Sequence, residues 1–105
     1  MTTPTDSRRD LLTVVATMRA KPGKEDELRE ALTSLVEPTT KEQGFVNYDL
    51  HQSIEDPAEF AFYENWERGE DLDAHLSAPH LQRFVSVMGD LLDGPLVVRR
   101  MRRIA

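Results

Sequence analysis

Cysteine is absent from this chain of 105 residues. That single absence excludes disulfides, thiolate metal centres and a cysteine nucleophile. Long apolar runs are missing as well. The most hydrophobic stretch, LLTVVATMRA, is cut by Arg19 well short of the ~20 residues a membrane helix needs, and no small-residue cleavage site follows it as a secretory signal requires. A soluble protein of the cytoplasm, without a membrane partner, is expected. Positive charge is in deficit: 13 lysines and arginines stand against 19 acidic residues, a formal net charge of -6. This argues against nucleic acid as a partner. The one basic strip, Arg99, Arg100, Arg102 and Arg103, is short and strand-like, so pairing with the acidic surplus is its expected role.

What is present fits one domain with a modest core. Residues 1–9 carry no periodic apolar pattern and read as an N-terminal tail, with the folded domain over 10–105. LLTVVATMR is a β-branched strand ended by KPG. Beyond Gly23, the residues Leu28, Ala31, Leu32, Leu35 and Val36 recur with the period of one helix face, and Glu25, Asp26 and Glu27 stand at the positive end of that helix. Pro38 bends or ends it, and TTKEQG leads to a turn at Gly44. FVNYDLHQS and AEFAFYENW, joined by EDP, form an antiparallel hairpin. A helical region containing LDAHLSAPHLQRF follows, then a DGP breaker and a last strand, LVVRRMRRI.

The order is β-α-β-β-α-β, the ferredoxin-like arrangement of the α+β class. Two helices cover one face of a four-stranded antiparallel sheet. Apolar side chains nevertheless occur at both parities, with Phe60, Phe62 and Trp66 on one face and Tyr63 on the other. A second copy of the chain is the economical cover, so a homodimer is expected.

Three pieces, RAKPGKEDELREAL, PTTKEQGFVNYDLHQSIEDPAEFAFYENWER and LDAHLSAPHLQRF, resemble in order and spacing the antibiotic biosynthesis monooxygenase (ABM) domain and the bacterial quinol monooxygenases. The resemblance runs from about Leu11 to Ile104. It rests most on the glycine and tyrosine of GFVNY, the glutamate and tryptophan of ENW, and the HLSAPH pair. It implies a dimeric α+β barrel with a pocket between sheet and helices in each subunit. It further implies oxidation of a small hydroquinone or electron-rich phenol by O2, with no metal and no flavin or other cofactor.

Dioxygen reacts slowly with closed-shell molecules, so an enzyme of this kind first makes its small aromatic substrate a better electron donor by removing a proton. A base poised near neutral pH is needed, and histidine is the natural choice. Leu72, His75 and Leu76 share one helix face and direct His75 at the sheet. His80 aligns with Phe84, Val87 and Leu91 and faces inward from a second helix that Pro79 starts. His75 is the expected base, oriented by Glu64, with His80 steadying the developing oxyanion. Trp66, Phe62, Phe84 and Met88 are expected as walls of the slot, and Tyr48 as a further wall from the second strand. Glu64 shares a face with Phe60, Phe62 and Trp66 and must be paired, protonated or water-linked there. Arg83 or one of the C-terminal arginines is the simplest partner. His51 falls on the opposite parity and is set aside.

Metal is not expected. His75 and His80 are five apart, with Pro79 between them, and two rings at that spacing are poorly placed to share an ion. Strand one lacks the asparagine that haem-degrading relatives pair with the tryptophan. Phe62 and Leu72 stand where the polyketide-oxidising branch has asparagine and tyrosine, which favours a small quinol over a large anthrone. The alternative is a non-oxidative ligand-binding or isomerase-like module of the same fold.

Overall fold

The computed structural model describes residues 10–105. The expected tail at 1–9 lies outside that range. Four strands, β1 (Leu12–Arg19), β2 (Phe45–Gln52), β3 (Glu59–Trp66) and β4 (Val97–Met101), form one antiparallel sheet in the order β2-β3-β1-β4. This is the ferredoxin-like topology expected from the element order. Each helical layer is broken in two: α1 (Glu25–Thr33) with the single turn α2 (Val36–Thr39), and α3 (Gly69–Leu76) with α4 (Pro79–Leu91). Among the described residues, no helix is long and apolar enough to cross a membrane.

The breaks follow from local chemistry. Pro38 tolerates only the one-turn α2, since its ring lacks the N–H that a longer helix would require. Ala78 is extended and Pro79 occupies the first position of α4, so α3 must stop before it. The core lies between these helices and the sheet. Leu28, Leu32 and Leu35 from the first helical layer meet Val14, Ala16, Phe60, Phe62 and Trp66 from the strands. Burying a side chain such as Leu28 or Leu32 contributes roughly 1.5–3 kcal/mol.

Among the described residues, no helix lies over the opposite sheet face. Val15 pairs with Tyr63 and Thr13 with Met101 on that face, and Tyr63 and Met101 are 39% and 49% exposed. Its one fully buried side chain, Asn65, is held in a polar ladder: Thr13 Oγ1 donates to Asn65 Oδ1 at 2.6 Å, and Asn65 Nδ2 donates to Asn47 Oδ1 at 2.9 Å.

Candidate active site

Two short segments bring a carboxylate and an imidazole together at one end of the core. The first is the turn after α2. Glu42 donates its backbone N–H to the Thr39 carbonyl at 3.1 Å, and Phe45 returns one to the Glu42 carbonyl at 3.3 Å, so residues 39–45 wind inward. Gly44 ends the turn with φ +78, in the left-handed region that favours glycine. A Cβ there would also collide with the Asp71 side chain. That carboxylate is buried because it caps α3, accepting the Arg68 N–H at 3.1 Å. The close approach of Gly44 to Asp71 therefore registers the Glu42 turn against α3. The second segment is α3 itself, whose inward face presents Leu72 and His75, each 1% exposed.

Glu42 receives both histidines. Its Oε1 and Oε2 lie 2.9 and 3.1 Å from His75 Nδ1, and Oε2 lies 2.7 Å from His80 Nε2. His80 Nε2 also lies 3.2 Å from Thr39 Oγ1, whose own proton goes to the Leu35 carbonyl at 2.7 Å. The consistent tautomers put N–H on His75 Nδ1 and on His80 Nε2, both donating to the carboxylate. This leaves His75 Nε2 as the acceptor of its ring. Around that ring are Trp66 at 4.7 Å, Tyr48 at 5.1 Å and His80 at 6.0 Å, centroid to centroid. Burial in this aromatic cage disfavours the imidazolium and pushes the His75 pKa down to about 4, so the ring is neutral at neutral pH. Burial also raises the Glu42 carboxyl above its ordinary value, with the neighbouring His80 acting against the rise.

Glu64 is the second buried carboxyl. Its Oε1 accepts the indole N–H of Trp66 at 2.9 Å from two residues along the same strand. Burial pushes its pKa up to about 7, the indole bond opposes that, and the Glu42 charge adds to it. Burial likewise raises the Tyr48 phenol, reinforced by the Glu64 and Glu42 charges. Tyr48 stacks on Phe62 with centroids 4.2 Å apart.

Four of these side chains, His75, Glu64, Tyr48 and Phe62, border one apolar cavity between sheet and helices. Tyr48, Phe62, Glu64, Leu72, His75 and Phe84 are among its walls. Its volume is about 30 Å³, room for roughly one water molecule and far below the ~300 Å³ at which ligand pockets begin. Two of its lining side chains, Leu76 at the end of α3 and Val98 on edge strand β4, are more than a third exposed, which marks the rim. An exposed ion pair, Arg100 Nη2 to Asp73 Oδ1 at 3.0 Å, joins β4 to α3.

Residues 11–87 match the family described as antibiotic biosynthesis monooxygenase. The chain belongs to that family. Among the relatives of this ABM protein, Rv0793 of Mycobacterium tuberculosis is 32% identical over 85 residues, covering 81% of this chain and 83% of that one. The Synechocystis protein sll1783 is 28% identical over 90 residues. The ABM chain here spans only 61% of the length of sll1783. Among solved structures, PA3566 of Pseudomonas aeruginosa superposes with a TM-score of 0.86 at 33% identity, covering 91% of this chain and 96% of that one.

Against expectation from the ABM sequence, several site residues stand elsewhere. His75 does point at the sheet and does touch Trp66, but its carboxylate partner is Glu42, not Glu64. Glu64 is satisfied by the indole of Trp66, and neither Arg83 nor a C-terminal arginine pairs with it among the described residues. His80 faces Glu42 and Thr39 and lines a surface groove with Pro38 and Arg83, so it stands behind the carboxylate rather than in the cavity. Trp66 is fully buried behind His75, and Met88 is half-buried against the core; neither lines the cavity. Phe62, Tyr48 and Phe84 do line it. Val87, expected inward, is 44% exposed.

The rings of His75 and His80 also converge, contrary to the argument from spacing. On one continuous helix, five positions would turn the second ring by about 140°. The extended Ala78 resets that rotation. Glu42 and Thr39 escaped the sequence reading because TTKEQG looks like a turn. The available signal was the need of two inward imidazoles for a buried acceptor.

Proposed function

We propose that this protein is an O2-dependent monooxygenase acting on a small hydroquinone or electron-rich phenol, with His75 as general base and Glu42 orienting it. The observation that carries the reading is the bond from buried His75 Nδ1 to Glu42 at 2.9 Å, on a ring that borders an aromatic-walled cavity. Glu42 fixes the tautomer, leaves Nε2 free to take the substrate proton, and stabilises the imidazolium that forms, as a carboxylate does for the base of a hydrolase triad. Membership of a family described as monooxygenase supports the reaction class.

The phenolate made in this way is the electron donor. One atom of O2 enters the ring and the other leaves as water, with the substrate supplying all four electrons: phenol plus O2 gives quinone plus water, and hydroquinone plus O2 gives hydroxyquinone plus water. The protein binds, orients and deprotonates. No metal, flavin or haem takes part in this scheme. Glu64, held near neutral pH in its protonation, lines the same cavity and can return a proton to the departing oxygen.

The cavity must widen for an aromatic ring to enter. The seam between Leu76 and Val98 is the natural route, since its closest polar link is the exposed Arg100–Asp73 pair, worth about 1 kcal/mol or less. The same reading makes the uncovered sheet face the interface of a homodimer, with Val15, Tyr63 and Met101 inside it.

Oxygen uptake by chelator-treated protein with a panel of reduced quinones tests the reaction. Uptake should exceed the buffer rate with at least one member, and His75→Ala should lower it about 10²-fold or more. Tight binding of those ligands without uptake would move the protein to a non-oxidative role.

A further inference from the structure

Glu42, His75 and His80 offer three ligand atoms that all lie within 4.8 Å of one another. They come from three separate places, the 39–45 turn, α3 and the first turn of α4, and so converge on a point rather than along a line. We propose that they form a binding site for one divalent first-row transition-metal ion, and that the ion, when bound, switches the His75 base off. The second clause rests on the function proposed above. The first does not.

The donor set selects this ligand. Two imidazole nitrogens and one carboxylate suit Zn²⁺, Co²⁺ or Ni²⁺, whereas Mg²⁺ and Ca²⁺ favour all-oxygen shells. Metal bonds of about 2.0–2.2 Å place tetrahedral ligand atoms about 3.3 Å apart. Measured from the single oxygen Glu42 Oε2, the existing separations of 3.1 Å to His75 Nδ1 and 2.7 Å to His80 Nε2 are already close to that. The widest separation in the set needs to shrink by no more than about 1.5 Å. That separation lies between the two imidazole nitrogens, and His80 can supply the movement, because it lines a surface groove, while His75 is fixed by Trp66 and Tyr48.

An entry route exists on the side away from the cavity. A surface groove of about 410 Å³ between the first helical layer and α4 is lined by His80, Pro38 and Arg83. His80 is 12% exposed. With three protein ligands, the ion keeps an open position for water. A fourth feature is the Thr39 hydroxyl beside His80 Nε2, an oxygen able to accept a hydrogen bond from such a water.

Binding replaces two hydrogen bonds with metal bonds. The proton on His75 Nδ1 moves to Nε2, and that on His80 Nε2 moves to Nδ1, so a neutral ring stays neutral. His75 Nε2 then carries a proton and cannot accept one from substrate. The ion therefore silences the base without entering the cavity.

Co²⁺ titration of the chelator-treated full chain tests the site by a signal independent of turnover. One equivalent per chain should bind, with visible d–d absorption of a four- or five-coordinate ion. His80→Ala and Glu42→Gln should each weaken binding by more than about 100-fold, beyond the roughly 10–100-fold that losing an outer-shell partner alone costs. His51→Ala, on the far side of β2, should leave it unchanged. Absence of such binding, or equal binding by His80→Ala and the unaltered chain, overturns the site whatever the enzyme activity. Where Co²⁺ binds at one equivalent and oxygen uptake persists, the site stands and the assignment of His75 as base falls.

Discussion

Glu42 and His75 are 33 positions apart in the chain and 2.9 Å apart in the fold. The contact depends on two unrelated turns meeting. One is the tight approach of Gly44 to Asp71, and the other is the break before Pro79 that brings His80 to the second face of the same carboxylate. A single acceptor thus satisfies two imidazoles, and removing it exposes both.

Glu42→Gln keeps an acceptor oxygen for one ring but removes the charge that stabilises a protonated His75. Turnover should fall about 10²-fold or more with the fold retained, measured by oxygen uptake beside thermal melting. Glu42→Ala should in addition destabilise the protein by about 1–3 kcal/mol, because the His75 N–H is left buried and unpaired. Full activity in Glu42→Gln would remove the carboxylate from the mechanism.

Gly44→Ala tests the turn. The residue would have to hold φ +78 and displace the buried Asp71 that caps α3. A loss of more than about 1 kcal/mol is expected in denaturant melts. Activity should drop further than stability explains, since the Glu42 turn loses its register. An unchanged melt would mean that the Asp71 contact is dispensable.

The pH dependence of stability separates the two buried groups. Glu64 titrates near 7 when folded against an ordinary value of 4.5, so between those values the folded state holds the extra proton. Stability from Glu64 is complete below 4.5 and is lost as pH rises through 7, by up to about 1.4 kcal/mol per unit. His75 titrates near 4 when folded against 6.5, so here the unfolded state holds the extra proton. Its contribution is complete above 6.5 and is lost as pH falls toward 4. The two slopes oppose one another from 4.5 to 6.5. Glu64→Gln removes one of them: its stability relative to the unaltered chain should climb from pH 4.5 to 7 and then level. A flat difference across that range would show that Glu64 is not protonated in the folded state.

Much of the fold can be read locally. The β-branched run of β1, the leucine spacing of α1 and Pro79 at the start of α4 each reflect preferences of a few neighbouring residues, and the element order then fixes the topology. The inward aim of His75 was legible for the same reason, as it shares a face with Leu72. Its partner was not. Glu42 sits in a stretch without periodicity, and only the three-dimensional meeting of that stretch with α3 gives it meaning. Trp66 was misplaced for a related reason: strand parity tells which face a side chain is on, and does not tell whether the space in front of it is cavity or another ring. In this fold that space is filled by His75.

The rim gives a kinetic prediction. Leu76 and Val98 close a cavity of about 30 Å³, and Arg100 and Asp73 are tied across the same seam. Leu76→Ala should let an aromatic substrate in with less displacement, lowering KM for a small quinol while leaving the His75–Glu42 bond intact. Arg100→Ala should act in the same direction with a stability change under about 1 kcal/mol. A raised KM in both variants would place the entrance elsewhere.

The sheet face away from the helices is uncovered among the described residues. Tyr63 and Met101 stand there 39% and 49% exposed, beside a polar ladder in which Asn65 is fully buried. A symmetric dimer would cover the apolar part of this face and leave the ladder as its border. Light scattering at micromolar concentration should therefore give twice the chain mass of 12.0 kDa. Tyr63→Glu puts a charge into the centre of the contact, where its partner copy brings a second one of the same sign, and both must be desolvated. It should shift the mass to the monomer value while the far-UV spectrum stays unchanged, since Tyr63 makes no contribution to the core between sheet and helices. Oxygen uptake should change much less than on loss of His75, because every cavity wall named above comes from one chain. A monomeric mass for the unaltered protein would reject the dimer, and an unshifted mass for Tyr63→Glu would place the contact on another surface.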